Sequence, residues 1–214
     1  GWGEALPAPF ALQAPAGIAT TRLGTVLVVD MAGGRVVEIA ADGTPLRTFG
    51  ALGEGAGAFR QPAAVAVEAS GSIVVADLGE TESRLLRFAA DGTFRGRVVG
   101  GTALREPVGL AAADDGTLVV ADADGAVVWL SPDGLTWREM RGRDGPSLPQ
   151  IVDVAAAEDG AVAVLDVTLG QVVRFDARGR HVGQWGAPGT AAGALAVGPG
   201  TIGSVAAGPG GDIY

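Results

Sequence analysis

Four aspartates are the residues of this sequence whose type and regular spacing could do chemistry. They are Asp30, Asp77, Asp122 and Asp166, they lie 47, 45 and 44 residues apart, and each follows a short run of β-branched and small apolar residues. Carboxylates gathered around one axis could attract a cation such as calcium, which takes about six to eight oxygen ligands. Further acids stand nearby in the sequence, at Glu80, Glu82 and Asp124.

The same aspartates also fit a structural role, which the sequence favours. A carboxylate at the end of a strand can accept backbone N–H bonds in its turn, or pair with an arginine that opens the next strand, such as Arg35 or Arg84. The chain has no D-x-D-x-D-G spacing of a dedicated calcium loop. We therefore predict that the four aspartates hold the fold, and we predict no catalytic residue, no metal ligand and no cofactor.

His181 is the only histidine of the chain. It aligns with Pro45, Arg95 and Trp137 in what the sequence predicts to be an outermost strand, so we expect it to face solvent. Zinc sites are built from several His and Cys side chains. With one histidine and no cysteine, these residues cannot assemble such a site.

The aspartates belong to a sequence repeat, and this repeat predicts the strands and turns that hold them in place. A turn glycine follows the first apolar run at Gly24, Gly71, Gly116, Gly160 and Gly211, and a second turn recurs near residues 42, 91, 133 and 178. A period near 45 residues with four short strands per repeat is typical of a β-propeller blade, since no repeat has an apolar pattern of helical period. Blades pack both faces against neighbours, which explains inner strands that are apolar on both sides.

The motifs of the second repeat resemble an NHL repeat. They are G-x-G-x-G-x-F-x-x-P from Gly53 to Pro62, V-V-A-D ending at Asp77, and R-L-L-R-F-A-A-D-G from Arg84 to Gly92. The resemblance covers nearly the whole chain and implies an all-β propeller of four-stranded blades that usually closes with six. Fold alone does not assign function, because propellers carry many unrelated activities.

The markers predict one domain, 1–214, that is an incomplete propeller of about four and a half blades. We expect blades at about 15–50, 62–100, 107–142 and 149–186, and a partial blade at 199–214. Open blade faces would cost much of the roughly 5–15 kcal/mol that holds a domain folded. We therefore expect the native chain to continue beyond these residues, or a second chain to cover the open faces.

Charge and composition restrict the classes of partner that the chain could bind. The formal net charge is −9, with 24 acids and 15 basic residues that are all arginine, which argues against a nucleic-acid partner. No membrane-inserting segment is predicted within these residues. The absence of cysteine fits either side of a membrane, and the family resemblance favours an extracytoplasmic location in a bacterium, periplasmic or secreted.

The third repeat departs most from the others. Trp129 stands where other repeats have Glu38, Arg87 and Arg174, and Trp137 stands in the outermost strand, so both could form an exposed aromatic patch. Tryptophan and arginine are typical anchors of protein interfaces. The alternative is that both tryptophans cover a thin blade edge. The candidate partner-binding residues are Trp129, Trp137, Arg138 and Arg141.

Two classes of function remain open at this point. The first, which the sequence favours, is a non-enzymatic protein-binding or scaffold propeller, as an accessory subunit of a bacterial assembly or as an extracytoplasmic sensor domain. The second follows from enzymes of related shape, and is a metal-dependent lyase or lactonase-like hydrolase with its site at the axial mouth of the propeller. Its ligands would have to come from blades outside these residues.

Overall fold

The computed structural model describes residues 5–98, 104–141, 146–157, 159–189, 203–208 and 212–214, which form strands, turns and loops. The described residues contain four antiparallel sheets of four strands each, and no helix. None of them therefore belongs to a helix long and apolar enough to cross a membrane. The chain divides into an N-terminal unit, Gly1–Val99, and a C-terminal unit, Gly100–Tyr214. The fold class is all-β, with four-stranded blades of the β-propeller type, as the sequence predicted.

The N-terminal unit contains blades one and two. Blade one consists of β1 (Pro15–Thr20), β2 (Val26–Asp30), β3 (Arg35–Ile39) and β4 (Pro45–Phe49). Blade two consists of β5 (Pro62–Val67), β6 (Ile73–Asp77), β7 (Arg84–Phe88) and β8 (Phe94–Val98).

The C-terminal unit contains blades three and four. Blade three consists of β9 (Pro107–Ala112), β10 (Leu118–Asp122), β11 (Ala126–Leu130) and β12 (Trp137–Met140). Blade four consists of β13 (Ile151–Ala156), β14 (Val162–Asp166), β15 (Gln171–Phe175) and β16 (His181–Trp185). In every blade the strands pair in chain order, from innermost to outermost.

Small residues let the innermost strands of neighbouring blades approach closely. In the N-terminal unit β1 packs against β5, and a Cβ added at Gly17 would lie 2.9 Å from the carbonyl oxygen of Ala63. In the C-terminal unit β9 packs against β13, and a Cβ at Gly109 would lie 2.9 Å from the backbone nitrogen of Val154. Glycine is needed wherever two backbones come this close.

Each unit has an apolar core between its two blades. The core of the N-terminal unit contains a cluster of phenylalanines in which Phe88 lies 5.2 Å from Phe49 and 5.5 Å from Phe59, measured between ring centroids. In the C-terminal unit the ring of Trp129 meets Phe175 edge-on at 5.8 Å. Tilted and edge-on contacts of this kind add to the stabilisation that buried aromatic area gives.

Residues 203–208 and 212–214 pack on blade four as the start of a further blade. Ala207 forms an antiparallel bridge with Ile213, as Val67 pairs with Ile73 in blade two. Val205, Ala207 and Ile213 share an apolar cluster with residues of blade four. The start of this repeat at Pro199 and its turn glycine at Gly211 lie outside the described residues.

Candidate functional site

The four strand-ending aspartates are fully buried and bind the backbone of the loop that leads into their own blade. Oδ1 of Asp77 accepts the N–H groups of Arg60 and Gln61, both at 2.8 Å. Oδ1 of Asp30 likewise accepts the N–H groups of Gln13 and Ala14 at 2.9 Å. In the C-terminal unit the loop donors are Arg105 and Glu106 for Asp122 and Gln150 for Asp166. Asp166 also accepts the N–H of Leu169, in the turn that follows its own strand.

Arginines complete this arrangement in the N-terminal unit. Nε of Arg84 donates to Oδ2 of Asp77 at 2.8 Å, and the same guanidinium donates to the carbonyl of Ala58 at 2.9 Å. Arg35 repeats the pattern with Asp30 at 3.2 Å. In blades three and four the position of these arginines is taken by Ala126 and Gln171. The carboxylates thus hold the inter-blade loops, with an ion pair added in blades one and two.

Hydrogen bonding sets the protonation of Asp30. Burial alone would raise the pKa of this carboxyl, but the backbone N–H groups of Ala14, Gln13 and Gly33, together with Arg35, lower the pKa below its ordinary value. A carboxylate that accepts several N–H bonds is stabilised in its charged form. Asp30 is therefore ionised and committed to these donors.

The other acids proposed for a cation site lie in exposed loops or ion pairs. Glu80 and Glu82 are exposed, and Asp124 accepts a hydrogen bond from Arg141 at 2.8 Å. Within the described part of the chain, no group of three or more His, Cys, Asp or Glu side chains is placed to hold a metal ion.

A polar cleft of about 540 Å³ lies beside the loop of residues 50–61, which leads into blade two. Glu54, Arg60, Glu80 and Thr81 are among the residues that line it. Arg60 binds Glu54 through Nε at 2.8 and 2.9 Å, and this bond raises the pKa of the guanidinium above its ordinary value. Two of the charged residues that line the cleft are therefore paired with each other.

The prediction that Trp129 forms an exposed aromatic patch is wrong. Trp129 is only 5% exposed, because Phe175 of blade four covers its edge and the guanidinium of Arg138 lies over its ring at 4.6 Å. Burial lowers the pKa of Arg138, against the opposing effect of Asp176. In the other blades this position forms a charged pair, Glu38 with Arg47 in blade one. Trp129 and Arg138 thus form a cation–π pair where blade one has an ion pair.

Trp137 and Arg141 lie at the surface of blade three. The side chain of Trp137 is 42% exposed, next to the exposed Leu135. Arg141 binds Asp124 and Glu139, and its bond to Asp124 is the main reason that the pKa of this guanidinium is raised. The proposed binding role of these residues stays a prediction.

His181 is exposed at the start of β16 and meets the ring of Phe175 edge-on at 6.1 Å. It pairs with Phe175 as Pro45 pairs with Ile39 and Trp137 with Leu130. In blade two the equivalent residue is Phe94, and not Arg95, because Phe94 pairs with Phe88 ahead of an irregular step in the ladder.

Blade four carries an open groove that the sequence analysis did not identify. The blade-four groove has a volume of about 620 Å³, and Val182 and Trp185 in its wall are 56% and 45% exposed. The equivalents of Trp185 in the other blades are all buried: Phe49, Val98 and Met140. The available signal was a tryptophan at the end of an outer strand, beside several arginines. The other main residues of the groove are Asp159, Arg174, Asp176 and Arg180.

Asp153 is a second residue that sequence reasoning missed. It lies in the innermost strand of blade four, where blade three has Gly109 and the N-terminal unit has Gly17 and Ala64. Its Oδ1 accepts the N–H of Val154 at 2.8 Å. Burial raises the pKa of this carboxyl despite its hydrogen bonds. An acid among glycines and alanines was visible in the aligned repeats.

No protein-family model matches the chain, and none of the curated proteins matches it in sequence. Solved structures match its fold. A streptogramin B lyase structure has a TM-score of 0.64 at 16% identity, covering 98% of this chain and 63% of that chain. Selenomethionine-substituted virginiamycin B lyase from Staphylococcus aureus has a TM-score of 0.62 at 15% identity, covering 94% of this chain and 61% of the other.

A catalytically inactive variant of virginiamycin B lyase from the same organism, with quinupristin, has a TM-score of 0.59 at 16% identity, covering 83% of this chain and 56% of that one. The chain thus spans less than two thirds of the length of these structures. At such identities the likeness establishes the β-propeller fold.

Proposed function

We propose that the chain is part of an NHL-type propeller that works as a non-enzymatic protein-binding module. One observation carries this proposal: the outer strands of the C-terminal unit expose two tryptophans, Trp137 and Trp185, close in sequence to arginines. Tryptophan and arginine are the side chains most often found as anchors of protein interfaces.

The exposed rings offer enough area to matter for binding. A tryptophan presents up to about 250 Å² of surface. With somewhat less than half of each ring accessible, a partner could cover about 100 Å² per ring, which is worth roughly 2.5 kcal/mol at about 25 cal/mol per Å². Two such anchors would supply a substantial part of the binding free energy of a moderate-affinity complex.

The polar chemistry of the repeat supports the same proposal. One type of side chain that could have formed a reactive set recurs in every blade. These carboxylates accept hydrogen bonds from backbone N–H groups instead: Asp30, Asp77, Asp122 and Asp166. These internal donors compete with any substrate or cation for the carboxylate oxygens. The repeat therefore serves to build a rigid scaffold with variable outer surfaces.

A lyase of the kind described for the similar structures is the competing hypothesis. It is favoured by the likeness of fold over 98% of the chain. It requires a reactive set that the described residues would share with residues outside them. The location in a bacterium outside the cytoplasm, and the role of accessory subunit or sensor, belong to our proposal and rest on the resemblance to NHL repeats.

Affinity capture tests the proposal. The tagged chain and its Trp137→Ala and Trp185→Ala variants are incubated with extract of the source cells, and the bound proteins are quantified by mass spectrometry. We expect at least one protein whose enrichment falls by about tenfold or more in a tryptophan variant, since loss of an anchor typically costs at least about 1.4 kcal/mol. Leu23→Ala is the matched control, because Leu23 is also exposed but lies in the N-terminal unit.

Two results would contradict the proposal. The first is that no protein is enriched over the tag alone, or that the enrichment is the same in all three variants. The second is that the chain, supplied with divalent metal ions, converts virginiamycin B with turnover that is absent from a mock purification. That result would favour the lyase.

A further inference from the structure

Met31 and Gln61 connect the turn after β2 in blade one to the loop that leads into blade two. Nε2 of Gln61 donates a hydrogen bond to the sulfur of Met31 at 3.4 Å. The same turn and loop also meet at Gly34, where an added Cβ would collide with the side chain of Leu52. Neighbouring blades are therefore joined at their loops by a thioether as well as by apolar packing.

The backbone of Gln61 is held firmly, whereas its side chain has one weak partner. The N–H of Gln61 donates to Oδ1 of Asp77 at 2.8 Å, and its carbonyl accepts the N–H of Leu78 at 2.9 Å. Within the described part of the chain, the side-chain amide of Gln61 makes no hydrogen bond other than the one to Met31. Because a thioether sulfur is a weak acceptor, a stronger acceptor at Met31 would bind this amide more tightly.

The two methionines of the chain have different surroundings. Met140 is 4% exposed and belongs to the apolar core of the C-terminal unit. Met31 is partly exposed, and its hydrogen bond with Gln61 lies at the surface. A small reagent in the solvent can therefore reach the sulfur of Met31, and a polar group formed there would remain in contact with water.

Sulfur at this position is a feature of blade one. Met31 follows the strand-ending Asp30, and its N–H donates to the carbonyl of Ala14 in the loop that leads into the blade. The residues that make the equivalent backbone bond in the other blades have hydrocarbon side chains: Leu78, Ala123 and Val167. Blade one thus differs from the other blades in placing an oxidisable side chain against the loop of its neighbour.

We propose that Met31 is an oxidation site, and that its sulfoxide strengthens the contact between blade one and the loop of blade two. The oxidant is a peroxide. A sulfur lone pair attacks one peroxide oxygen, the O–O bond breaks and an S–O bond forms, so that sulfur is oxidised and the peroxide is reduced. The hydroxide that leaves takes the proton of the transferred hydroxyl and becomes water. Sulfoxide reductases reverse the modification.

The sulfoxide oxygen replaces the sulfur as the acceptor of the Gln61 amide. Oxidation of a buried methionine disrupts a core, but Met31 lies at the surface, so the fold is retained. The affected loop carries the N–H groups of Arg60 and Gln61 that bind Asp77. Exchange of these two N–H groups with solvent should therefore become slower after oxidation, because local opening of the loop becomes less frequent.

Peroxide treatment of the folded chain tests the site. The full chain is incubated with hydrogen peroxide, and peptide mass spectrometry follows the gain of one oxygen atom at each methionine. We expect Met31 to be oxidised at least about tenfold faster than Met140, since the sulfur of Met140 is buried. The same treatment of the chemically unfolded chain is the control, and there the two rates should be similar.

NMR of the ¹⁵N-labelled chain tests the effect of the modification. We expect the side-chain amide signal of Gln61 to move on oxidation, and exchange of the Arg60 and Gln61 backbone amides to slow by about threefold or more, as one strengthened hydrogen bond would cause. Methionine sulfoxide reductases should restore both properties. Met31→Leu treated with the same peroxide should show neither change, and Gln61→Leu should be oxidised at Met31 without slower exchange at Arg60.

The inference is overturned if Met31 and Met140 are oxidised at the same rate in the folded chain. It is also overturned if oxidation at Met31 leaves exchange at Arg60 and Gln61 unchanged or makes it faster. Neither result bears on the proposed function, which depends on Trp137 and Trp185 of the C-terminal unit and is decided by affinity capture.

Discussion

The backbone N–H of Val205 donates a hydrogen bond of 2.9 Å to Oδ2 of Asp153, and so joins the segment of residues 203–208 to blade four. At the equivalent place in the N-terminal unit, Gly17 lies against the backbone of Ala64 with no side chain between them. A carboxylate thus replaces bare backbone contact at this seam. The attachment of residues 203–208 to blade four therefore depends on a titratable group.

This link predicts a pH dependence. Burial raises the pKa of Asp153 above its ordinary value of 3.8, so the neutral form is favoured in the folded state. The contribution of the group to stability is therefore fully present below pH 3.8, and it is lost as the pH rises through the raised pKa. Relative to Asp153→Asn, the wild type should become less stable over that window.

Chemical unfolding of the two proteins at several pH values measures this difference. Comparing the variants removes the effect of Asp30, whose lowered pKa acts in the opposite direction. A difference in unfolding free energy that stays constant with pH, or that grows in favour of the wild type, would show that Asp153 does not carry the predicted burial penalty.

Replacing a strand-ending aspartate should lower the free energy of unfolding more in the N-terminal unit than in the C-terminal unit. Asp77→Ala deletes the partner of Arg84, whose side chain is only 9% exposed, and should destabilise by about 3–5 kcal/mol, as expected for one half of a buried ion pair. Asp122→Ala leaves backbone N–H groups without an acceptor but strands no arginine, and should cost about 1–3 kcal/mol.

Thermal and chemical unfolding of both variants check this order, with the exposed Glu80→Ala as a control that should change stability by less than about 0.5 kcal/mol. Equal costs for Asp77→Ala and Asp122→Ala would mean that the arginine adds nothing to the arrangement.

Gly179→Ala should disturb the cation–π contact between Trp129 and Arg138. Gly179 and Gly24 both have positive φ, 68° and 75°, so alanine is strained at either place. Only at Gly179 would the new Cβ also collide with the Arg138 guanidinium, whereas nothing lies within 4 Å of a Cβ at Gly24. Arg138 can swing aside, but it then leaves the Trp129 ring.

We therefore expect Gly179→Ala to cost about 0.5–1 kcal/mol more than Gly24→Ala, the usual worth of a cation–π contact at a partly exposed site. It should also change the emission of Trp129, which Gly24→Ala should not do. If the two variants have the same stability and the same tryptophan spectrum, Arg138 does not stabilise the joint.

The repeat made the fold predictable from sequence. Turn glycines such as Gly71, with φ of 83°, and strand-ending acids such as Asp77 mark each blade in the same phase. Several weak local signals that recur together leave one arrangement of strands. The loop N–H groups that bind Asp30 and Asp77 were harder to predict from the sequence. These hydrogen bonds join residues 16 or 17 positions apart, so they depend on how the loop returns to the strand.

Exposure was the property that the sequence could not assign. Trp129 and Trp185 both stand where other blades have different residues, yet Trp129 is buried and Trp185 is not. The difference depends on what covers each blade, Phe175 and Arg138 in one case and no described residue in the other. Side-chain alternation within a strand says nothing about a neighbouring blade.

The most direct test of the central claim is hydroxyl-radical footprinting of the four tryptophans in the free chain and in the complex isolated by affinity capture. In the free chain, Trp137 and Trp185 should be oxidised several-fold faster than the buried Trp129, since modification follows exposure. In the complex, the oxidation rate of at least one of the two exposed tryptophans should fall several-fold, while Trp129 stays slow. Oxidation of Trp137 and Trp185 at the same rates in both states would contradict the proposal that these side chains bind the partner.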